Sequence, residues 1–199
     1  MESTAQVIGQ TLVGADKTAT LWINSFHTPF TDSVWLFFSN KWVWAVLYAF
    51  ILFFLFRRLG WKRALVAVAA IVLTIVCCDQ GANLFKNWIC RLRPTHDAWM
   101  LSNGLHIPGD AGGLYGFFSG HAANSFGFAA ATLGIFRSDV RRSYKAYGWA
   151  IFLWAFLVSL SRIFLGRHFL GDILVGAAVG LLLGWLFSLA YRRFALRIS

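Results

Sequence analysis

The sequence predicts an all-α polytopic membrane protein, a bundle of about five transmembrane helices preceded by an N-terminal helix lying in the membrane interface. Three observations lead there. Apolar residues make up 58% of the 199 positions and charged residues 13%, against about 45–50% and about 25% in soluble domains. Ten Trp and 20 Phe are more apolar surface than a soluble chain of this size can hide. Long uncharged stretches recur at helical length, and basic residues cluster between them. A soluble enzyme, a disordered chain and a disulfide scaffold are excluded on this ground. One integral-membrane domain over residues 1–199 is expected.

Five stretches define the expected spans: residues 42–56, 64–85, 122–136, 146–161 and 173–191. Crossing the hydrocarbon takes about 20 residues, with a range of about 17–25. Residues 33–40 and 112–120 extend the first and third, and flanking Lys and Arg can snorkel. A lone strand cannot satisfy its backbone in lipid, so the spans are helices. The alternating ten-residue segments of a membrane barrel are absent. Residues 1–41 are too polar to span. Leu21, Trp22, Phe26 and Phe30 suggest an interfacial helix with Asp16 as its cap. The N-terminus carries no basic segment ahead of an apolar core, so no cleavable signal peptide is expected, and the first span serves for insertion. Cys77, Cys78 and Cys90 give no disulfide framework and read as buried small hydrophobes.

The net charge of +10 is mostly topological. Arg57, Arg58, Lys62, Arg63, Arg137, Arg141, Arg142, Lys145, Arg192, Arg193 and Arg197 all fall on one side of alternating spans, which should be the cytoplasm. No nucleic-acid partner is expected.

The other side carries chemistry. Lys86, Arg91 and Arg93 follow span two, and Ser119, Gly120 and His121 open span three. Ser161 and Arg162 end span four, and His168 and Asp172 open span five. Lys86, Arg93 and Arg162 supply three cations, enough to neutralise a phosphoryl group and its transition state. Ser119 and Gly120 sit where free helix N–H groups bind anions and the chain can approach closely. His168 and Asp172, four apart, share a helix face. A carboxylate on one ring nitrogen fixes the tautomer and leaves the other nitrogen as nucleophile or base. His121 adds a second imidazole, so that one histidine can attack phosphorus while the other protonates the leaving oxygen. Each group alone has a plainer reading: Lys86 as a snorkelling anchor, His168 and Asp172 as a structural bond or half of a metal site. A metal held by His121, His168 and Asp172 would sit beside three cations at high cost. A transporter would spread its polar groups across the midplane.

Lys86-Asn-Trp-Ile-Cys-Arg-Leu-Arg93-Pro94 fits K-x6-R-P. Ser119-Gly120-His121 fits the core of P-S-G-H, and Ser161-Arg162 through His168 to Asp172 fits S-R-x5-H-x3-D. In order and spacing the chain resembles the type 2 phosphatidic acid phosphatase superfamily over residues 80–190. Phe118 stands where that pattern has proline. The resemblance implies a metal-independent phosphatase without cofactor. It implies His168 as nucleophile through a phosphohistidine, Asp172 as its orienting partner and His121 as leaving-group acid. Lys86, Arg93, Ser119, Gly120 and Arg162 would hold phosphate. The expected partner is a phosphorylated membrane lipid, of undecaprenyl diphosphate type by preference. Phosphatidylglycerophosphate, phosphatidic acid, a lipid A phosphate and lipid-to-lipid phosphotransfer are the alternatives. The expected location is a bacterial cytoplasmic membrane with the site facing outward.

Other positions carry weaker expectations. Asp79, with Gln80 and Asn83 nearby, is an intramembrane acid with a function or a partner on another span. His96, Asp97 and Trp99 would shape a headgroup pocket. Arg91 and Arg167 would meet a second phosphate or lipid headgroups. His27 and His106 have no argued role.

Overall fold

The computed structural model describes residues 4–195 and 197. Eight helices follow in order: α1 (Thr4–Asn24), α2 (Pro29–Ser39), α3 (Ala45–Leu59), α4 (Trp61–Ile89), α5 (Ala98–Ser102), α6 (Gly120–Phe136), α7 (Lys145–Phe164) and α8 (Leu170–Ala195). A 3-10 turn at Pro94–His96 precedes α5, and Leu92 pairs with Tyr115 in an isolated antiparallel bridge. The fold is an all-α polytopic membrane bundle.

The five expected spans appear as α3, α4, α6, α7 and α8. Three of them, α4, α7 and α8, are long and apolar enough to cross a membrane. At 1.5 Å per residue, the 15 residues of α3 reach only about 22 Å. The 17 residues of α6 sit at the lower limit for a span, and that helix is mostly buried among its neighbours. Gly60, at φ +75°, is the single residue between α3 and α4 and turns the chain back on itself.

The N-terminal segment departs from the expectation. It forms two helices, and Asp16 caps neither. Asp16 lies inside α1 and caps α8 instead. Three polar side chains spaced four apart on α1 reach the ends of two later helices. Asp16 Oδ1 accepts from Gly171 N at 2.8 Å, and Thr20 Oγ1 accepts from Leu170 N at 2.9 Å. Asn24 Nδ2 donates to the Ile163 and Phe164 carbonyls, each at 3.1 Å. Phe169 N donates to Asp172 Oδ2 at 3.0 Å. The donors that open α8 and the acceptors that close α7 are thus met by side chains.

The closest pair in the bundle is α6 against α8, with α4 packed on both and α7 on α6. Gly176, Gly180 and Gly184 are buried at four-residue spacing along α8. A Cβ on Gly176 would stand 2.5 Å from the Ser119 carbonyl, and one on Gly180 would collide with the Ala123 carbonyl and lie 2.8 Å from Gly127 N. One on Gly184 would strike the Gly127 carbonyl and lie 2.9 Å from Ala130 Cβ. Small residues let helix backbones touch where lipid gives no hydrophobic drive to associate. At the opposite end Arg192 closes the same seam, donating to the Gly134 carbonyl at 2.7 Å through Nη2. Among the cysteines, Cys78 packs with Ala82, Phe118 and Ala123, whereas Cys77 and Cys90 are exposed, contrary to the expectation that all three are buried.

The seam predicts a sharp contrast between glycines. Gly180→Ala should destabilise by about 1–3 kcal/mol, the usual cost of overpacking. Gly14→Ala, on an exposed stretch of α1 with nothing within 4 Å, should be neutral or mildly stabilising. Thermal unfolding in detergent checks both. Equal melting temperatures for the wild type and Gly180→Ala would contradict the packing.

Candidate active site

A cavity of about 670 Å³ opens where α4, α6 and α7 end and runs down between them. Lys86, Arg93, Gly120, His121, Arg162, Arg167 and His168 line its polar end. Ile71, Ile75, Phe128, Trp154 and Val158 line the far end. Ile71 lies fifteen residues before Lys86 on α4, so the cavity follows the helix for roughly 22 Å.

The loops bring these groups together. After α4 ends at Cys90, in the left-handed conformation, the chain turns and pairs with residues 114–116. Arg93 N donates to the Leu114 carbonyl at 3.0 Å and Gly116 N to the Arg91 carbonyl at 2.9 Å. That pairing lays Gly116 over His168 and Asp172. A Cβ there would lie 3.1 Å from Arg93 Cγ, 3.3 Å from Asp172 Oδ2 and 3.5 Å from His168 Nδ1. Gly112, at φ +72°, leaves room for the guanidinium groups of Arg93 and Arg167, whose Nη1 atoms would both come within 3 Å of a Cβ.

His168 is buried at 2% exposure, with Nδ1 3.5 Å from Oδ2 of the fully buried Asp172. His121 is exposed into the cavity from the first turn of α6. Ser119 is placed differently from its neighbours. It is fully buried, its Oγ accepts from Ala122 N at 3.4 Å as the cap of α6, and its N–H donates to the Asp172 carbonyl at 3.0 Å. The backbones opening α6 and α8 are therefore joined directly, and Gly120 rather than Ser119 faces the cavity.

The five cations at this end of the bundle fall into two groups. Arg91 pairs with Asp172 through Nη1 at 2.7 Å and with Asp16 through Nη2 at 2.6 Å. Arg167 pairs with Asp110 at 2.6 Å, and that hydrogen bond holds the exposed Asp110 carboxyl below its ordinary range. Lys86, Arg93 and Arg162 make no ion pair among the described residues. Arg93 Nε donates to the Tyr115 carbonyl at 3.0 Å, and Arg162 Nη1 donates to Ser39 Oγ. Arg162 is 5% exposed, yet among the described residues its Nε has no partner, and neither has that of Arg167. Unpaired buried cations are costly, and a bound anion among them would relieve that cost. Burial, and then Arg167 beside it, presses Arg93 below the usual guanidinium range. Burial, reinforced by Arg162, Arg93 and Lys86, holds His168 well below the usual imidazole range, so the ring is neutral at pH 7.

Other expected positions separate clearly. Arg91 meets two carboxylates rather than a headgroup, while Arg167 does line the cavity. Asp97 caps α5 by accepting from Met100 N at 3.1 Å and pairs with Lys17 at 2.6 Å. His96, Asp97 and Trp99 lie off the cavity wall. Asp79 lines the cavity and receives a bond from Asn83 of its own helix at 3.4 Å, with no partner on another span among the described residues. His27 and His106 stack at 3.6 Å with planes 9° apart, and His106 Nε2 lies 2.9 Å from Asp32 Oδ2. Ligand atoms of these three lie within 4.8 Å of one another. The parallel rings, however, send their in-plane lone pairs side by side rather than onto one ion. Sequence reasoning missed Ser39 and Asn124 on the cavity wall, neither of which carries a motif.

A polytopic bundle whose one end holds uncompensated cations around a neutral, carboxylate-backed imidazole has the outline of a membrane phosphatase. The chain belongs to the PAP2 superfamily, whose family model matches residues 63–195. It is 38% identical to a lipid A 4'-phosphatase of Bacteroides thetaiotaomicron over 92% of this chain and 80% of that protein. It is 36% identical to a lipid A 4'-phosphatase of Porphyromonas gingivalis over 87% of this chain and 71% of that protein. Among solved structures it resembles a transmembrane PAP2 type phosphatidylglycerolphosphate phosphatase from Bacillus subtilis. That match has a TM-score of 0.69 and 21% identity, covering 95% of this chain and 88% of the other. The expectation of the phosphatase superfamily thus holds, and the protein is a membrane lipid phosphatase of this family.

The neutral His168 has a consequence for stability. The unfolded chain takes up a proton near the ordinary imidazole pKa of about 6.5, and the folded, phosphate-free protein does not. The unfolded state then binds more protons, so the His168 contribution is fully present above about pH 6.5 and is lost as pH falls below it. Melting temperatures measured from about pH 8 to about pH 5 should decline, and His168→Asn should decline less. An equal decline in both would refute the assignment.

Proposed function

We propose that the chain removes a phosphate monoester from a lipid A-type lipid through a phosphohistidine on His168. The observation that carries this is the single cavity in which Lys86, Arg93 and Arg162, all without ion pairs, surround His168 and His121 and whose floor continues into an apolar channel. The phosphate sits among the cations and the N-terminus of α6, with the hydrophobic part of the lipid toward Ile71 and Trp154. His168 Nε2 attacks phosphorus while Asp172 stabilises the imidazolium that forms. The bond to the lipid oxygen breaks, and that oxygen takes a proton from His121. The bound phosphate supplies the negative charge beside which a protonated His121 is stable. Water, deprotonated by His121, then cleaves the N–P bond and frees inorganic phosphate. Ser119 acts through the backbone, by fixing the start of α6 against α8. No step calls for a metal.

The sequence favoured an undecaprenyl diphosphate-type lipid. Nothing in the cavity favours a diphosphate, because Arg91 and Arg167, the cations that could hold a second phosphate, are paired with carboxylates. The names of the two relatives above 35% identity support the lipid A alternative. The basic face opposite the site supports a site facing away from the cytoplasm.

Phosphate release from lipid A, undecaprenyl diphosphate and phosphatidylglycerophosphate, each in detergent, tests the substrate. Lipid A should be turned over fastest, with excess EDTA present and with vanadate inhibiting. His168→Ala should abolish turnover of every substrate. His121→Ala should be partly rescued on p-nitrophenyl phosphate, whose leaving group needs no proton. Asp172→Asn should cost about 10²–10⁴-fold. Rescue of His168→Ala instead of His121→Ala would reverse the two roles. Loss of activity on chelation, restored by a divalent metal, would overturn the mechanism.

A further inference from the structure

Asp172 is fully buried, and both of its oxygens are spoken for. Oδ2 accepts from Phe169 N at 3.0 Å and faces His168 Nδ1 at 3.5 Å, while Oδ1 accepts from Arg91 Nη1 at 2.7 Å. Arg91 is itself braced. Its other nitrogen, Nη2, holds Asp16 Oδ2 at 2.6 Å, and its guanidinium lies 4.3 Å from the centre of the Phe169 ring. Asp16 also accepts from Gly171 N, next to Asp172 in the chain. One rigid fork therefore ties a carboxylate of α1 to the carboxylate behind His168. A guanidinium presents its donors at fixed spacing, which an ammonium cannot reproduce.

We propose that Arg91, held by Asp16 of α1, is a positioning residue that keeps the Asp172 carboxylate turned so that Oδ2 faces His168 Nδ1. The docking of α1 thereby sets the reactivity of a site whose cavity it does not line. The proposal rests on the roles of His168 and Asp172 given above. Arg91 touches neither the cavity nor the reacting atoms, so its effect passes through Asp172. A buried carboxylate that loses its cation loses the interaction that fixes its rotamer, and His168 Nδ1 loses the carboxylate oxygen set 3.5 Å from it. Misplacement of a reacting group by about 1 Å can cost about 100-fold.

The test uses the full-length protein in detergent, with kcat and KM measured on lipid A, or on phosphatidylglycerophosphate if the panel selects it. Asp16→Asn keeps an oxygen for Gly171 N and removes the charge and the acceptor that brace Arg91. It should lower kcat by about 10- to 100-fold with KM unchanged. Arg91→Lys should do the same, because one ammonium cannot hold both carboxylates, and it serves as the second variant if Asp16→Asn is not monodisperse. Combining Asp16→Asn with Asp172→Asn should cost nothing beyond Asp172→Asn alone, since the chain of contacts ends there. Lys17→Gln cuts the neighbouring α1 ion pair to Asp97 and should leave kcat unchanged. An unchanged kcat in Asp16→Asn, costs that multiply in the double variant, or an equal loss in Lys17→Gln would each overturn the proposal and leave the dyad intact. Full activity in Asp172→Asn would instead overturn the dyad reading, and this proposal with it.

Discussion

Backbone-to-backbone contact between α6 and α8 is the constraint on which the rest depends. It exists because Gly176, Gly180 and Gly184 present no Cβ to the carbonyls and amides of Ser119, Ala123 and Gly127. The consequence reaches the site directly. Where the seam ends, Ser119 N meets the Asp172 carbonyl at 3.0 Å, so His121, two residues along α6, and His168, four residues before Asp172, have a fixed separation. A helix pair held apart by side chains would vary that separation with each rotamer. In lipid, where apolar side chains gain little by leaving one apolar surface for another, close packing of this kind is what holds helices together.

Electrostatics then divide the labour among similar residues. Arg91 and Arg93 are two positions apart and chemically identical, yet Arg91 is committed to two carboxylates and Arg93 to a carbonyl and the open cavity. Neutralised cations hold the loops in place. Lys86, Arg93 and Arg162 keep their charge for a ligand, and the cost of burying them is carried by the packing of the helices beneath. The same arrangement keeps His168 neutral while no phosphate is bound.

Much of this was legible in the sequence. The motif residues Lys86, Arg93, Gly120, His121, Arg162 and His168 lie on one cavity, and the five apolar stretches became α3, α4, α6, α7 and α8. The glycine spacing was also present in the sequence, as three glycines four apart, although only the packing shows that it faces α6. The rest was hidden for physical reasons. A charged residue two positions from a motif arginine carries no sign of its partner, because that partner lies 75 residues away at Asp16. The lengths of α3 and α6 were obscured because apolar runs do not distinguish a helix that faces lipid from one enclosed by protein. Ser119 was read as a phosphate holder at a helix start, whereas the fold buries it, with its hydroxyl capping α6 and its N–H on the Asp172 carbonyl.

The N-terminal helix was the largest departure, and its cause is instructive. Polar residues on an amphipathic helix are ordinarily taken to face water. On α1, Asp16, Lys17, Thr20 and Asn24 face the protein, while Val7, Ile8, Leu12 and Val13 are exposed. Between α7 and α8 the chain turns around His168, and burial there removes water from the helix ends it joins. Their N–H and C=O groups still need partners, and only another element of the protein can bring them. The α1 helix does so with Thr20 and Asn24, which are fully buried. A helix already required to cap Leu170 and Gly171 stands beside Asp172 by necessity. One acidic residue on that helix was then enough to bring α1 into contact with the cation that holds Asp172.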